Sequence, residues 1–162
     1  MQELFFSTFK RNKMNPFLIS QTQLLAQSYK RLLGEDLVKE GTPEEMAEWL
    51  YEANYAVLSH DGAEDPCFNY ANKKAQELFE FSWDEFQGMP SRLSAEPDLR
   101  EEREKMLEIA TKNGFYTGYK GVRISKSGKR FFIDNCTIFN LLDSEGNKIG
   151  QAATFSYWKS LE

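Results

Sequence analysis

The sequence holds one histidine, His60, and two cysteines, Cys67 and Cys136, far apart and without C-x-x-C spacing. This scarcity excludes a disulfide framework and a Cys/His zinc cluster, and leads to the expectation of a reducing, cytoplasmic setting. No apolar run approaches the roughly 20 residues that span a bilayer. The amino end has no small-residue cleavage site before Lys10, Arg11 and Lys13, so no signal peptide is expected. G-x-S-x-G, P-loop and H-E-x-x-H motifs are missing, and any Ser/His/Asp device would rest on His60 alone. Asp61 and Asp65 flank a turn with Pro66 and are explained by turn chemistry. A non-enzyme is therefore expected. Positive charge is also short: the net charge is -5 and the pI about 5.1. That balance argues against nucleic acid, whose phosphates need a concentrated basic surface. Lys120, Arg123, Lys126, Lys129 and Arg130 could gather in one patch, but in an acidic chain they read as solubilising charges.

What the chain has is apolar material for one core. Its 162 residues are 41% hydrophobic and 14% aromatic, enough for a single domain with a terminal extension. Residues 1 to 14 show no period and read as an irregular lead-in. Asn15-Pro16 is a cap followed by proline at the first helical position, and Phe17, Leu18, Leu24, Leu25, Tyr29, Leu32 and Leu33 recur at helical spacing up to Gly34. That stripe either packs on its own domain or pairs with a second copy, which makes Phe17, Leu18, Leu25, Tyr29 and Leu32 candidates for a dimer interface. Thr42-Pro43-Glu44-Glu45 is a capping box opening a helix to about Ala53.

Tyr55 to Ser59 reads as a strand, His60-Asp61-Gly62 as a turn, and Cys67 to Ala71 as the hairpin partner. Tyr70 to Pro90, YANKKAQELFEFSWDEFQGMP, then encodes two short helices. Asn72 caps the first, with Ala75, Leu78 and Phe79 inward; Ser82 and Glu85 form a capping box for the second, which stops at Gly88. Helices this short need an apolar surface to lie on. Prolines 90 and 97 leave room for at most one turn between them. Asp98 with Glu101 is expected to cap a helix to Asn113, with Leu99, Arg103, Met106, Leu107 and Ala110 inward. From Phe115 the period is extended: strands 115 to 125, 129 to 142 and 149 to 158, joined by turns at Ser127-Gly128 and Asp143 to Asn147. The long middle strand is apolar in both phases, which predicts burial on both sides and a cover from helix 16 to 33 or a partner subunit.

This order of strands, short helices, long helix and three strands resembles the PAS-type sensor fold. It implies an α+β domain: a five-stranded antiparallel sheet with helices on one face and additional amino-terminal helices. The strings HDGAEDPCFNYANKKAQELFEFSWDEFQGMPSRLSAEP, GVRISKSGKRFFI and GQAATFSYW are similar to the MEKHLA domain, a PAS-related module, over about residues 43 to 160. The expected division is residues 1-42 as an extension with an amphipathic helix and 43-162 as the PAS-like domain. The resemblance implies a non-catalytic sensory or regulatory module that binds a small ligand or mediates dimerisation, with a regulatory protein as a further possible partner. The alternative is an interaction module whose core is packed full.

Within that superfamily, flavin photosensors carry a reactive cysteine after the short helices, and GMPSRLSAEP has none. Haem sensors commonly use a histidine on the long helix, and residues 99 to 113 have none. Flavin-adduct and haem chemistry are both disfavoured, and no cofactor is named. Polar residues on apolar strands are the best ligand handles, because a ligand can satisfy a group that is costly to bury alone. These are Tyr119, Arg123, Asp134, Asn135 and Gln151, with Arg92 approaching from the proline-flanked segment and Cys136 as a pocket contact, redox sensor or small hydrophobe. A slip of one residue in strand phase turns half of them to solvent. Arg92 and Arg123 also read as structural ties to Glu96 or Asp134.

Overall fold

The computed structural model describes residues 15–161; the expected lead-in, 1 to 14, lies outside them. Helix α1 (Pro16–Leu33) opens where Asn15 Oδ1 accepts the Leu18 N–H at 3.1 Å and closes at Gly34, which takes the left-handed conformation (φ 74°). Helix α2 (Pro43–Tyr51) starts from the Thr42/Glu45 capping box. Strands β1 (Ala56–Asp61) and β2 (Phe68–Ala71) form a hairpin, and α3 (Lys73–Phe79) and α4 (Trp83–Phe86) follow with the predicted Asn72 cap and Ser82/Glu85 box. His60 and Asp61, expected in the turn, belong to strand β1, and the turn begins at Gly62. The turn itself is closed by Asp61 Oδ1, which accepts from Ala63 N–H and Cys67 N–H.

Helix α5 (Arg100–Asn113) begins one residue later than Asp98 as its cap would have it. Pro97–Leu99 forms a separate 3-10 turn, so Leu99 occupies the cap position and no side chain caps the helix. Strands β3 (Phe115–Ile124), β4 (Arg130–Leu142), β5 (Lys148–Phe155) and β6 (Tyr157–Ser160) complete an antiparallel sheet of six strands, in the order β2-β1-β5-β4-β3 with β6 also against β4. The sixth strand comes from dividing the expected strand 149 to 158 at Ser156. Thr137 pairs with Thr154 and Asp134 with Tyr157, so β5 and β6 share one register along β4 and separate opposite Asn135.

Asn135 is left-handed (φ 54°), a conformation its short polar side chain tolerates. It forms a bulge: Gly121 pairs with Ile133 but Tyr119 with Cys136, so one extra residue sits on β4. The bulge shifts side-chain phase by one. Before it Phe131 and Ile133 face the inner core; after it Cys136 and Ile138 do, leaving Phe139 and Leu141 for the opposite face. This resolves the two-phase pattern of β4.

The opposite face is covered by α1. Leu18 and Leu25 pack there with Val57, Phe139, Leu141 and Ala152, and Tyr29 meets Phe139 edge to face. Ser28 Oγ accepts the Leu142 N–H at 2.9 Å, and Gln21 Nε2 donates to Ser59 Oγ at 3.0 Å. Burying each of these leucines contributes on the order of 1.5–3 kcal/mol. On the inner face, Phe68, Phe79, Phe86 and Phe131 contact one another edge to face beneath α3 and α4. No helix among the described residues is long and apolar enough to cross a membrane.

Candidate functional site

Beside the aromatic cluster, between α5 and the inner sheet face, lies a cavity of about 30 Å³, lined by residues of five strands and of α5. That is room for roughly two water molecules. Strand β3 presents Tyr119, Gly121 and Arg123 on one face, by its period of two. A Cβ at Gly121 would stand 2.5 Å from the Tyr119 hydroxyl, so the missing side chain is what lets the phenol lie along the strand toward Arg123. Cys136 and Ile138 enter from β4, Gln151 from β5, His60 from β1, and Arg103 and Leu107, one helical turn apart, from α5.

The two arginines dominate the electrostatics. Arg123 is 8% exposed; its Nε donates to the Ser94 carbonyl at 2.9 Å, Nη2 to Ser94 Oγ, and its Cζ lies 5.4 Å from the Phe79 ring centre. It also reaches the Tyr119 hydroxyl. Arg103 is 6% exposed and makes no hydrogen bond among the described residues. Its nearest carboxylate oxygen, Glu104 Oε1, is 4.0 Å away on a side chain that is 56% exposed. Burial, then the positive charge of Arg123, pull Arg103 down to about 9, and burial lowers Arg123 as well. Arg103 stays protonated at neutral pH. No aspartate or glutamate lines the cavity among the described residues.

His60 is neutral at the same pH. Burial pushes its pKa down to about 4, and Nδ1 lies 2.9 Å from the Asp61 carbonyl, which makes Nδ1 the protonated nitrogen. Burial pushes the Cys136 thiol up to about 12, so thiolate chemistry is suppressed and the side chain packs as a small hydrophobe. Gln151 Nε2 donates to the Leu107 carbonyl (3.1 Å), Thr111 Oγ1 (3.3 Å) and Asn140 Oδ1 (3.2 Å), tying the sheet to α5.

Of the residues read from sequence as ligand handles, the structure brings Tyr119, Arg123, Cys136 and Gln151 to this cavity. Arg92 and Asp134 are elsewhere. Arg92 forms a fork on the surface with Asp65 at 3.2 and 3.4 Å, since the Ser94–Arg123 contact turns the proline-flanked turn so that Ser91 and Ser94 face inward. Asp134 and Asn135 sit at the bulge, where Asp134 faces Lys120 at 3.8 Å. The ties expected of Arg92 and Arg123 are thus differently partnered, with Glu96 facing Arg130. Sequence reasoning saw Arg103 on an inward helical face and took it for packing; a charge on that face was the signal. Among the α1 candidates, Leu18 and Leu25 are buried inside the chain, Tyr29 and Leu32 are half-buried, and Phe17 is exposed beside Trp83. The basic run is divided: Lys126 pairs with Glu85, Arg130 with Glu96, and Arg123 is buried.

Solved structures share this architecture. A PAS domain from Colwellia psychrerythraea superposes with a TM-score of 0.61 at 18% identity, covering 68% of this chain and 92% of that one. A light-oxygen-voltage domain studied with a flavin analogue gives 0.58 at 18% identity, over 73% and 85%. An RNA-binding light-oxygen-voltage receptor gives 0.58 at 18% identity, over 70% of this chain and 32% of the receptor. The flavin suggested by such neighbours does not fit: about 30 Å³ is far below the size of its ring system, and two buried cations line the space. Among curated proteins no sequence matches the chain. The MEKHLA domain profile matches residues 19–160, from α1 through the last strand, and with a PAS-like fold built around that match the chain belongs to the MEKHLA domain family.

Proposed function

We propose that this chain is a non-catalytic sensory module that holds a small ligand between α5 and the inner face of the sheet. The observation that carries the reading is the convergence of Arg103, Arg123, Tyr119 and Gln151 on one cavity in an otherwise apolar core. Polar side chains are costly to bury, and a few of them aimed into an apolar cavity are what orients a ligand. The PAS-like fold and the MEKHLA family membership support a signalling role. Ligand held by Arg103 acts on α5 directly, and α5 is tied to β5 and β4 by Gln151 and Asn140. Occupancy therefore changes how firmly α5 docks, which is the output a partner would read.

Native mass spectrometry of the purified chain tests this, followed by hydrogen exchange before and after removal of any bound molecule. The expected result is a co-purifying small molecule whose removal speeds exchange in α5. A chain that carries nothing, and whose melting temperature is unmoved by a broad panel of charged and neutral metabolites, defeats the reading. A packed-core interaction module is the second reading, favoured by the interlocked Phe68, Phe79, Phe86 and Phe131.

A further inference from the structure

The cavity has two cationic walls and no anionic one. Arg123 has a structural role, since Ser94 takes two of its N–H groups and the Phe79 ring faces its guanidinium. Arg103 has no such role. A guanidinium carries five donors, and the described residues offer Arg103 no acceptor within hydrogen-bond reach. Its position, in register with Leu107 and Ala110 on the buried side of α5, is one where Leu or Met would pack without the cost of burying a charge. A chain that keeps there a charge whose ion-pair partner, Glu104, stands 4.0 Å away on a mostly exposed side chain retains it at the expense of stability, which is the pattern expected of a binding group.

We infer that the cavity is an anion site taking a small planar oxyanion, the carboxylate of a short organic acid, between Arg103 and Arg123. This rests on the ligand-sensing reading above and narrows it. A carboxylate presents two coplanar oxygens, which match the parallel N–H pairs of a guanidinium, and it supplies the one negative charge that the cavity lacks. The Tyr119 hydroxyl stands next to Arg123 as an additional donor. Volume limits the ligand: a space of about 30 Å³, room for roughly two waters, admits only the smallest carboxylates, formate first and acetate at the limit. His60, neutral and donating its Nδ1–H to the Asp61 carbonyl, adds no charge of either sign.

The test is calorimetry and thermal melting of the whole chain with sodium formate, acetate, nitrate and bicarbonate, with acetamide as the neutral counterpart of acetate, at constant ionic strength. Acetate or formate is expected to bind saturably and raise the melting temperature, while acetamide does neither. R103M is expected to weaken acetate binding at least tenfold while the unliganded variant melts at or above wild type; R103K, which keeps charge but loses the fork, falls between. Saturable binding of nitrate or bicarbonate in preference to acetate keeps the anion site and assigns it an inorganic source. If acetamide binds as well as acetate, or R103M binds acetate like wild type, the anion assignment is overturned and the cavity survives as a neutral ligand site. If none of these solutes binds, the anion assignment is overturned, while the ligand-sensing reading stands or falls by the native mass spectrometry above. Should R103M not fold, R103K and the wild-type titrations decide the matter.

Discussion

Replacing Asn72 with Ala removes the side chain that joins four parts of the backbone. Asn72 is fully buried; its Oδ1 accepts from Val57 N–H (3.0 Å) and Ala75 N–H (3.2 Å), and its Nδ2 donates to the carbonyls of Tyr55 (2.8 Å) and Leu50 (3.1 Å). The bond to Ala75 is an ordinary helix cap, with a cost of about 1 kcal/mol when lost. The other three connect α2, the segment before β1 and β1 itself, and each leaves a buried backbone group unsatisfied at roughly 1–2 kcal/mol. The sum, about 4–7 kcal/mol, is a large part of the ~5–15 kcal/mol that holds a domain folded. With a urea slope of about 2 kcal/mol per molar, the midpoint should fall by roughly 2–3.5 M, followed through tryptophan fluorescence. Asn72→Ser, which keeps only the cap, should recover about 1 kcal/mol. If N72A loses no more than a cap is worth, the three longer-range bonds contribute nothing and the reasoning is refuted.

Stability should also depend on pH through His60. Its folded pKa of about 4 lies below the ordinary 6.5, so the unfolded chain binds the proton first. Stability from this group is complete above 6.5 and is lost as pH falls toward 4, by about 3 kcal/mol from linkage. His60→Gln should flatten urea midpoints across that window, and an unchanged slope would show the effect lies elsewhere. A separate prediction concerns Thr22 Oγ1 and Tyr70 Oη, buried beside each other with no well-formed hydrogen bond to any other group among the described residues. Replacing both hydroxyls, Thr22→Val with Tyr70→Phe, should leave stability unchanged or raise it by up to about 2 kcal/mol, measured by thermal melting; a loss above ~1 kcal/mol would show that the pair is satisfied in solution.

What the sequence revealed was whatever local chemistry decides. Asn15, Thr42, Asn72 and Ser82 all cap the helices expected of them, because a cap needs only a few neighbouring residues. Asp98 failed for the same local reason: Pro97 starts a 3-10 turn that moves the helix start past it. The bulge at Asn135 was hidden, since nothing local distinguishes a strand that changes phase from one that is apolar on both sides. The site was half legible. Strand alternation led to Tyr119, Arg123 and Gln151, while Asp134 was lost at the bulge and Arg92 faces out because Ser94, two residues on, turns inward to Arg123.

The bulge also bears on the proposed function. Along β4, Phe131 and Ile133 lie under the aromatic cluster, Cys136 and Ile138 in and beside the cavity, and Phe139 and Leu141 beneath α1. A regular strand could not bring both Ile133 and Cys136 to the inner face. Because Ile138 and Phe139 are adjacent on one stiff strand, a ligand that displaces the cavity wall also presses on the surface where Leu18, Leu25 and Tyr29 rest. The polar bond from Gln21 to Ser59, next to His60, connects the same two faces through β1. Helix α1 is thereby packed against the reverse side of the cavity, so that, on the proposed ligand-sensing reading, it and α5 are the elements positioned to report occupancy.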